Sequence, residues 1–410
     1  MPRDTLRQIM EENKPSTESS NKRSASVNIQ PPLPAGRKTL RSRIGLAVVS
    51  LILAFAGAEI AVRFLWPLAS PLRFEQVQQA LDETLENQFG FDQTQHSNQR
   101  VRSLVFDDIF QSDPELFWKF APNVRLPDDH WPMFGLVSNG QGLREDHEIP
   151  RQKQPGEIRI LFVGDSCTYG LLLPHTETVC HLTEVQLRAA YPELKIEAIN
   201  AGVPAYSLYQ GWRFLVTQGP RYQPDLIVLN FGWNAAGMWD GQSDIEHYDQ
   251  WKSAQPPGPL RHSRLCQMIW AIPRADESNG QARRQRPRLL PKEYRNLLGK
   301  VHQTTEEQGI DLLLLVGAGR FNIDPSDEIT KRTFFHEEGM RYGRRIRFGA
   351  DGVTGLVDVV PIVQAMANTI PASDLFHDNI HPTAQTNREI AKALVKKLQP
   401  WIDARRKSGE

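Results

Sequence analysis

Short apolar runs alternate with amphipathic stretches from residue 157 almost to the end of the chain. The apolar runs lie at 158–163, 194–199, 225–229, 311–316 and 356–360. Helical spacing of apolar residues is found at 177–191, 207–218, 291–308 and 386–398. Continuous apolar strands that alternate with helices are typical of a parallel sheet buried on both faces. We therefore expect an α/β domain over residues 155–400, with any functional site beyond the carboxyl ends of its strands.

A longer apolar run near the N-terminus predicts a membrane segment. Residues 44–65 carry no charge in their first 15 positions, and as a helix they would rise about 33 Å, enough to cross a bilayer core. Four basic residues within 37–43 precede the run, which predicts a cytoplasmic N-terminus and an exported remainder. We expect a single transmembrane anchor at 44–67. A cleaved signal peptide, favoured by the small residues at 56–58, and a buried helix of a soluble domain are the alternatives.

The remaining segments lack the alternating pattern. Residues 1–43 are rich in Ser, Pro, Asn, Gln and charge, which predicts a disordered cytoplasmic tail. A helical stripe at 74–89 opens the region 68–154, which then becomes an irregular lead-in. A loop insertion is expected at about 236–290, and residues 401–410 form a tail. Four arginines of the insertion are expected to be surface charges: Arg283, Arg284, Arg286 and Arg288.

Composition excludes several classes of protein. Over 410 residues the 48 Lys and Arg balance the 48 Asp and Glu, which argues against an electrostatic nucleic-acid binder. Three cysteines are too few for a disulfide scaffold, and their spacing gives no zinc pattern. Cys180 and Cys266 are expected to be free, although an oxidising compartment would permit them to pair. The mean hydropathy of −0.45 fits at most one membrane segment in a water-soluble chain.

Small and polar residues follow the first three predicted strands. Gly164-Asp165-Ser166 follows the first, and a serine at a strand-to-helix turn presents its hydroxyl at the edge of the sheet. Gly202 follows the second strand, and Gly232-Trp233-Asn234 follows the third. A backbone amide at Gly202 and the side-chain amide of Asn234 are donors that can stabilise an oxyanion. A serine hydroxyl also requires a base to become a nucleophile.

The sequence supplies a base near the C-terminus. Asp378 and His381 are three residues apart, so in a compact turn their side chains face the same way. The carboxylate can then hold the imidazole Nδ1–H and leave Nε2 free toward Ser166. His377 is the rival base, but it is adjacent to Asp378 and would point elsewhere in a regular turn.

Ser, Gly, Asn and His in this order resemble the four motif blocks of the SGNH (GDSL-type) hydrolases, and the chain looks like a membrane-anchored bacterial member. The resemblance covers roughly 155–400. It implies that Ser166 is the nucleophile, that Asp378 and His381 complete a catalytic triad, and that Ser166, Gly202 and Asn234 form the oxyanion hole. It also implies a three-layer α/β/α sandwich with a mostly parallel, flavodoxin-like sheet.

The sequence departs from the common motifs at three positions, none of which removes a catalytic group. Cys167 follows the nucleophile, Ala205 stands where glycine is frequent, and Ala235 stands where an Asp often follows the Asn. We interpret Cys167 as a small buried apolar residue. Trp233 and Tyr169 either line an acyl or sugar subsite or pack in the interior.

The residues predict acyl transfer to serine and then to water outside the cytoplasm, and the resemblance implies that the enzyme is an esterase of the acetylesterase type. The expected substrate is an ester or an O-acylated glycan. No metal site and no cofactor is expected, and no nucleic-acid partner. An O-acyltransferase acting on an envelope glycan and a catalytically inactive envelope binding protein are the alternatives. The acyl chain length and the oligomeric state stay open.

Overall fold

A computed structural model describes residues 40–65, 109–128, 135, 137–239, 241–271, 286–324 and 355–408. The chain divides into two compact units, residues 1–58 and residues 59–410. Three sequence predictions lie outside the described residues: the tail before residue 40, the helical stripe at 74–89, and the exposure of Arg283 and Arg284.

The N-terminal apolar run forms one helix, α1 (Leu40–Leu65). Within Ser42–Leu65 an 18-residue stretch has a mean hydropathy of 2.2, and none of it is buried. Large apolar side chains therefore stand exposed along this helix, with Leu51 at 73% of its maximum. By length and composition the helix is sufficient to cross a membrane.

The larger unit contains nine described strands and nine described α-helices. The strands are β1 (Phe110–Asp113), β2 (Phe117–Phe120), β3 (Glu157–Gly164), β4 (Lys195–Asn200), β5 (Leu226–Asn230), β6 (Met238–Trp239), β7 (Arg286–Pro287), β8 (Asp311–Val316) and β9 (Gly355–Asp358). The helices are α2 (Ser166–Tyr169), α3 (Val179–Ala190), α4 (Leu208–Thr217), α5 (Asp244–Ser253), α6 (Arg264–Ala271), α7 (Pro291–Glu307), α8 (Val360–Met366), α9 (Ala372–Leu375) and α10 (Ala384–Ser408).

Five of these strands form one parallel sheet in the order β4-β3-β5-β8-β9. In chain order this is 2-1-3-4-5, the flavodoxin-like arrangement, and the order reverses between β3 and β5. Parallel sheets of this class bind ligands outside the carboxyl ends of the strands at such a reversal. The predicted fold class is confirmed.

Helices cover both faces of the sheet, as the continuous apolar runs predict. Leu161 and Val163 of β3 belong to one apolar cluster, which α4 and α7 complete. Ile160 and Phe162 belong to a second cluster, which α3 and α10 complete. Because successive strand residues point to opposite faces, an unbroken apolar strand is satisfied only by this three-layer packing.

The lead-in and the insertion have more structure than the sequence indicates. Strands β1 and β2 form an antiparallel hairpin in which Phe110 pairs with Phe120. Helices α5 and α6 and the β6–β7 pair lie within the expected loop insertion. Helix α5 is largely polar, so it lacks an apolar stripe, but its capping box of Ser243 and Glu246 is visible in the sequence.

Two features concern the C-terminus and the cysteines. Helix α10 continues through Pro400 to Ser408, so most of the expected tail is helical. It is held there by the burial of Ile402 and by a hydrogen bond of 2.8 Å from Trp401 Nε1 to Asp311 Oδ2. The three cysteines are free, as expected for Cys180 and Cys266.

Candidate active site

The carboxyl end of β3 delivers Ser166 to the edge of the sheet. Asp165 is the N-cap of α2, and its Oδ1 accepts a hydrogen bond of 3.0 Å from the Cys167 amide. The strand-to-helix turn is so tight that a Cβ on Gly164 would lie 1.9 Å from Thr168 Oγ1. Ser166 is therefore the first residue of a helix that starts directly at the end of a buried strand.

His381 and Asp378 meet Ser166 across 215 residues of sequence. His381 Nε2 lies 2.7 Å from Ser166 Oγ, and His381 Nδ1 lies 2.6 Å from Asp378 Oδ2. The other carboxylate oxygen, Asp378 Oδ1, accepts the amides of Ile380 and His381 at 2.8 Å each. All three side chains of this Ser–His–Asp chain are buried. It is His381, and not His377, whose ring reaches the serine.

Gly202 stands at the end of β4, where only a glycine fits. A Cβ at this position would lie 2.3 Å from the backbone nitrogen of Tyr169. The Gly202 amide donates to Asn200 Oδ1 at 3.0 Å, while Asn200 Nδ2 donates to the Thr168 carbonyl at 3.1 Å. The amide proposed as an oxyanion donor is thus already hydrogen-bonded within the protein, and an oxyanion would have to share it.

Asn234 follows β5 in a short 3₁₀ turn and is buried. Its Nδ2 donates to the Tyr206 carbonyl at 3.0 Å. A side-chain amide has two N–H donors, so this bond orients the group and leaves the second N–H for another acceptor. Tyr206 belongs to the loop between β4 and α4, and the three strand ends β3, β4 and β5 are neighbours in the sheet.

The carboxyl group of Asp165 contributes to the electrostatics beside Ser166. Burial raises the pKa of Asp165 to about 6. The Cys167 amide and the nearby His381 favour the charged carboxylate and only partly offset this rise. Asp165 Oδ2 has no hydrogen-bond partner among the described residues. The Asp165 carboxylate caps the N-terminus of α2. The carboxylate that binds His381 Nδ1 is that of Asp378.

The two residues that the sequence offered for a subsite, Tyr169 and Trp233, pack in the interior, and so does Cys167. Tyr169 is fully buried, with the guanidinium carbon of Arg144 at 3.9 Å from its ring centroid. Trp233 packs edge-on against Phe321, with ring centroids 5.6 Å apart. Cys167 joins that same cluster, and burial raises the pKa of its thiol. The interpretation of Cys167 as a buried apolar residue agrees with this packing.

Arg288 corrects the expectation that the arginines of the insertion are surface charges. Its side chain is buried and forms an ion pair with Asp244 at 2.8 Å. Arg286 is partly buried and pairs with Glu246 and Glu293, each at 3.0 Å. The partners that allow Arg288 to be buried are distant in sequence, so they cannot be identified from the polar run around it.

One group of potential metal ligands occurs in the described part of the chain, at Glu145, Asp146 and His147. Both ring nitrogens of His147 already bind carboxylates, Nδ1 to Asp146 and Nε2 to Glu197, at 2.7 Å each. Although burial opposes the charged ring, these bonds raise the pKa of His147 to about 9. Both ring nitrogens of His147 are therefore engaged by carboxylates of the protein.

The fold and site define a doubly wound α/β protein with a Ser–His–Asp chain at the switch point. No protein-family model and no curated protein matches the chain. Among solved structures it is similar to an alpha/beta hydrolase enzyme from the metagenome of Lake Arreo, Spain, at 18% identity and a TM-score of 0.41, over 59% of this chain and 95% of that one. It is also similar to an acetylxylan esterase from Geobacillus stearothermophilus, at 16% identity and a TM-score of 0.40, over 60% and 96%. Both likenesses are distant in sequence and in structure.

Proposed function

We propose that this chain is a serine hydrolase that cleaves carboxylic esters through an acyl-enzyme intermediate. The observation that carries the proposal is the unbroken chain from Ser166 Oγ to His381 Nε2 and from His381 Nδ1 to Asp378 Oδ2, at 2.7 and 2.6 Å. A nucleophile, a base and an orienting acid within hydrogen-bonding distance are the arrangement that serine acyl transfer requires. Their position at the carboxyl edge of a parallel sheet adds support.

The first half of the reaction forms the acyl-enzyme. Ser166 Oγ attacks the ester carbonyl carbon while its proton passes to His381 Nε2. Asp378 stabilises the resulting imidazolium through Nδ1. The oxyanion accepts hydrogen bonds from the Ser166 amide and Asn234 Nδ2, with Gly202 as the third donor. His381 then gives its proton to the leaving alcohol, and the acyl group stays on Ser166 Oγ.

The second half releases the acid. A water gives a proton to His381 Nε2 as its oxygen attacks the acyl carbon, and the same three donors hold the second oxyanion. When this tetrahedral species collapses, the carboxylic acid leaves and Ser166 Oγ recovers its proton. Every proton in the cycle passes through His381, so the reaction needs only the residues of this site and water.

Helix α1 is the proposed membrane anchor, with the catalytic unit on the exported side. The exposed apolar residues along α1 would be costly in water, and a bilayer would cover them. The basic residues before the apolar run favour a cytoplasmic N-terminus. An esterase placed in this way meets esters outside the cytoplasm, of which O-acylated glycans are the proposed class.

The proposal is tested with the purified full chain in detergent. Ser166→Ala should lower p-nitrophenyl acetate hydrolysis at least about a thousandfold, since it removes the nucleophile. Ser373→Ala is the matched control, because Ser373 is an exposed serine in the segment before Asp378. Turnover that survives in Ser166→Ala would refute the assignment.

The same preparation separates the alternatives. If an acyl group appears on an added glycan in place of the free acid, the chain is an O-acyltransferase that uses the same serine. If a fluorophosphonate fails to label Ser166 in the folded parent chain, the site is inactive and the protein is a binding protein. Labelling that is lost in Ser166→Ala and kept in Ser373→Ala supports the hydrolase.

A further inference from the structure

The guanidinium group of Arg288 makes four buried hydrogen bonds. Nε and Nη2 bind the two carboxylate oxygens of Asp244 at 3.1 and 2.8 Å. Nη2 also donates to Gln210 Oε1 at 2.7 Å, and Nη1 donates to the carbonyl of Ala205 at 2.5 Å. Bidentate, charge-assisted bonds of this kind fix both distance and orientation. Arg288 is therefore a rigid contact between the insertion and the loop that follows β4.

The loop needs such a contact, because Ala205 is held in an unfavourable backbone conformation. Its φ is +63°, in the left-handed region that residues with a Cβ rarely adopt. That conformation is unfavourable for a residue other than glycine, because its Cβ lies too close to a backbone carbonyl oxygen. The bond from Arg288 to the Ala205 carbonyl stabilises it. Ser207, two residues later, adds a hydrogen bond of 2.5 Å from its Oγ to Asp244 Oδ2.

The residue between these two contacts reaches the active site. The carbonyl of Tyr206 accepts the 3.0 Å hydrogen bond from Asn234 Nδ2 that orients this side chain. The Arg288–Asp244 pair thus grips the loop at residue 205 and at residue 207. The carbonyl at 206 has little freedom to turn, and neither has the amide bonded to it.

We propose that Arg288 is a positioning residue, which acts through residues 205–207 to aim the side-chain amide of Asn234 at the oxyanion. This inference rests on the proposed hydrolase function. A donor aimed at developing charge stabilises the transition state more than the bound ester, so misaiming it lowers kcat while KM changes little. A residue that only stabilised the fold would lower the melting temperature and the fraction of active protein.

The variant Arg288→Lys tests this role, because it keeps a positive charge beside Asp244 but loses the planar fork. We expect kcat for p-nitrophenyl acetate to fall about tenfold, with KM within twofold of the parent value. Arg286→Lys is the matched control: within the described part of the chain this neighbouring arginine binds Glu246 and Glu293 and makes no hydrogen bond to residues 205–207. Its kcat should stay within twofold.

A double-mutant cycle with Asn234→Ala decides between positioning and stability. If Arg288 acts through Asn234, Arg288→Lys should change kcat less than twofold once Asn234 is alanine. The same tenfold loss in both backgrounds would overturn the proposal, as would an unchanged kcat in the single variant. If Ser166→Ala retains turnover, the hydrolase proposal and this one are both refuted. If Ser166→Ala is inactive and the two substitutions have additive effects, only the positioning role of Arg288 is refuted.

A paired variant keeps the test available if the lysine substitution prevents folding. Arg288→Met combined with Asp244→Asn removes both charges together, so no unpaired charge is left buried. It should fold and should show the same loss of kcat, again dependent on Asn234. A paired variant with the parent kcat would refute the positioning role.

Discussion

Replacing Gly202 by alanine tests the geometry of the proposed oxyanion hole without removing a donor, since the amide N–H is kept. The added Cβ would meet the Tyr169 nitrogen at 2.3 Å, the Thr168 carbonyl carbon at 2.8 Å and the Tyr169 Cα at 2.9 Å. All three are backbone atoms, so no side chain can simply turn away. Ordinary contact begins at 3.4 Å, and the nearest approach must therefore lengthen by about 1.1 Å (3.4 minus 2.3).

That displacement falls on the helix that carries the nucleophile, because Thr168 and Tyr169 belong to α2 with Ser166. A misplacement of about 1 Å between catalytic groups costs on the order of 100-fold in rate. This corresponds to about 2.7 kcal/mol of transition-state stabilisation, at 1.36 kcal/mol for each factor of ten. Overpacking of a buried site also costs about 1–3 kcal/mol of folding free energy. We expect Gly202→Ala to lose both activity and thermal stability.

The assay is p-nitrophenyl acetate hydrolysis by the full chain, with the melting temperature measured on the same sample by circular dichroism. Gly299→Ala is the control, because Gly299 is exposed in α7 and nothing lies within 4 Å of its added Cβ. It should keep full activity and a melting temperature at least equal to that of the parent. If Gly202→Ala keeps more than half of the parent activity, the strand end and α2 can separate without disturbing Ser166, and the reasoning fails.

Two further predictions concern stability and topology. Burial raises the pKa of Glu145 from 4.5 to about 8. Between these two pH values the folded chain holds a proton that the unfolded chain has lost. The free energy of unfolding therefore falls as the pH rises through this range. Glu145→Gln should reduce the fall in melting temperature between pH 6.5 and 8, leaving the part due to His147; an unchanged slope would contradict this. With α1 as a retained anchor, the full-length chain should stay in carbonate-washed membranes, and protease on the exported side should remove the catalytic unit but protect an N-terminal tag. A shortened, soluble product beginning after about residue 58 would instead identify a cleaved signal peptide.

The strands of the sheet could be predicted because buried parallel strands are apolar on both faces. The run at 225–229 becomes β5 at Leu226–Asn230, and the run at 311–316 becomes β8 with the same bounds. The hairpin of β1 and β2 could not be found in this way. Each of its strands has four residues, and that length is too short for periodicity to distinguish a strand from an irregular segment.

The candidate site likewise has a part that could be predicted from the sequence and a part that could not. That Ser166, Asp378 and His381 lie together could be predicted from their types and spacing and from a topology that brings strand ends and the C-terminal loop to one edge; their catalytic role stays a prediction. The role proposed for Arg288 could not be. Its partners Asp244 and Ala205 lie 44 and 83 residues away, and a cluster of arginines in a polar run is indistinguishable from a solvated surface until those partners are known.

The Gly202 amide already donates a hydrogen bond within the protein, so the three proposed donors are not equally available to an oxyanion. Because Asn200 Oδ1 already accepts this N–H at 3.0 Å, an oxyanion that recruits it must compete with a neutral acceptor built into the strand end. Asn234 differs, since the bond to the Tyr206 carbonyl uses only one of its two N–H groups. Of these two donors, the Asn234 amide is therefore the one that can meet the developing charge under the proposed mechanism without giving up its existing hydrogen bond. In the positioning role proposed for Arg288, the orientation of this amide depends on the Tyr206 carbonyl, and the buried Arg288–Asp244 pair binds the loop on both sides of that carbonyl.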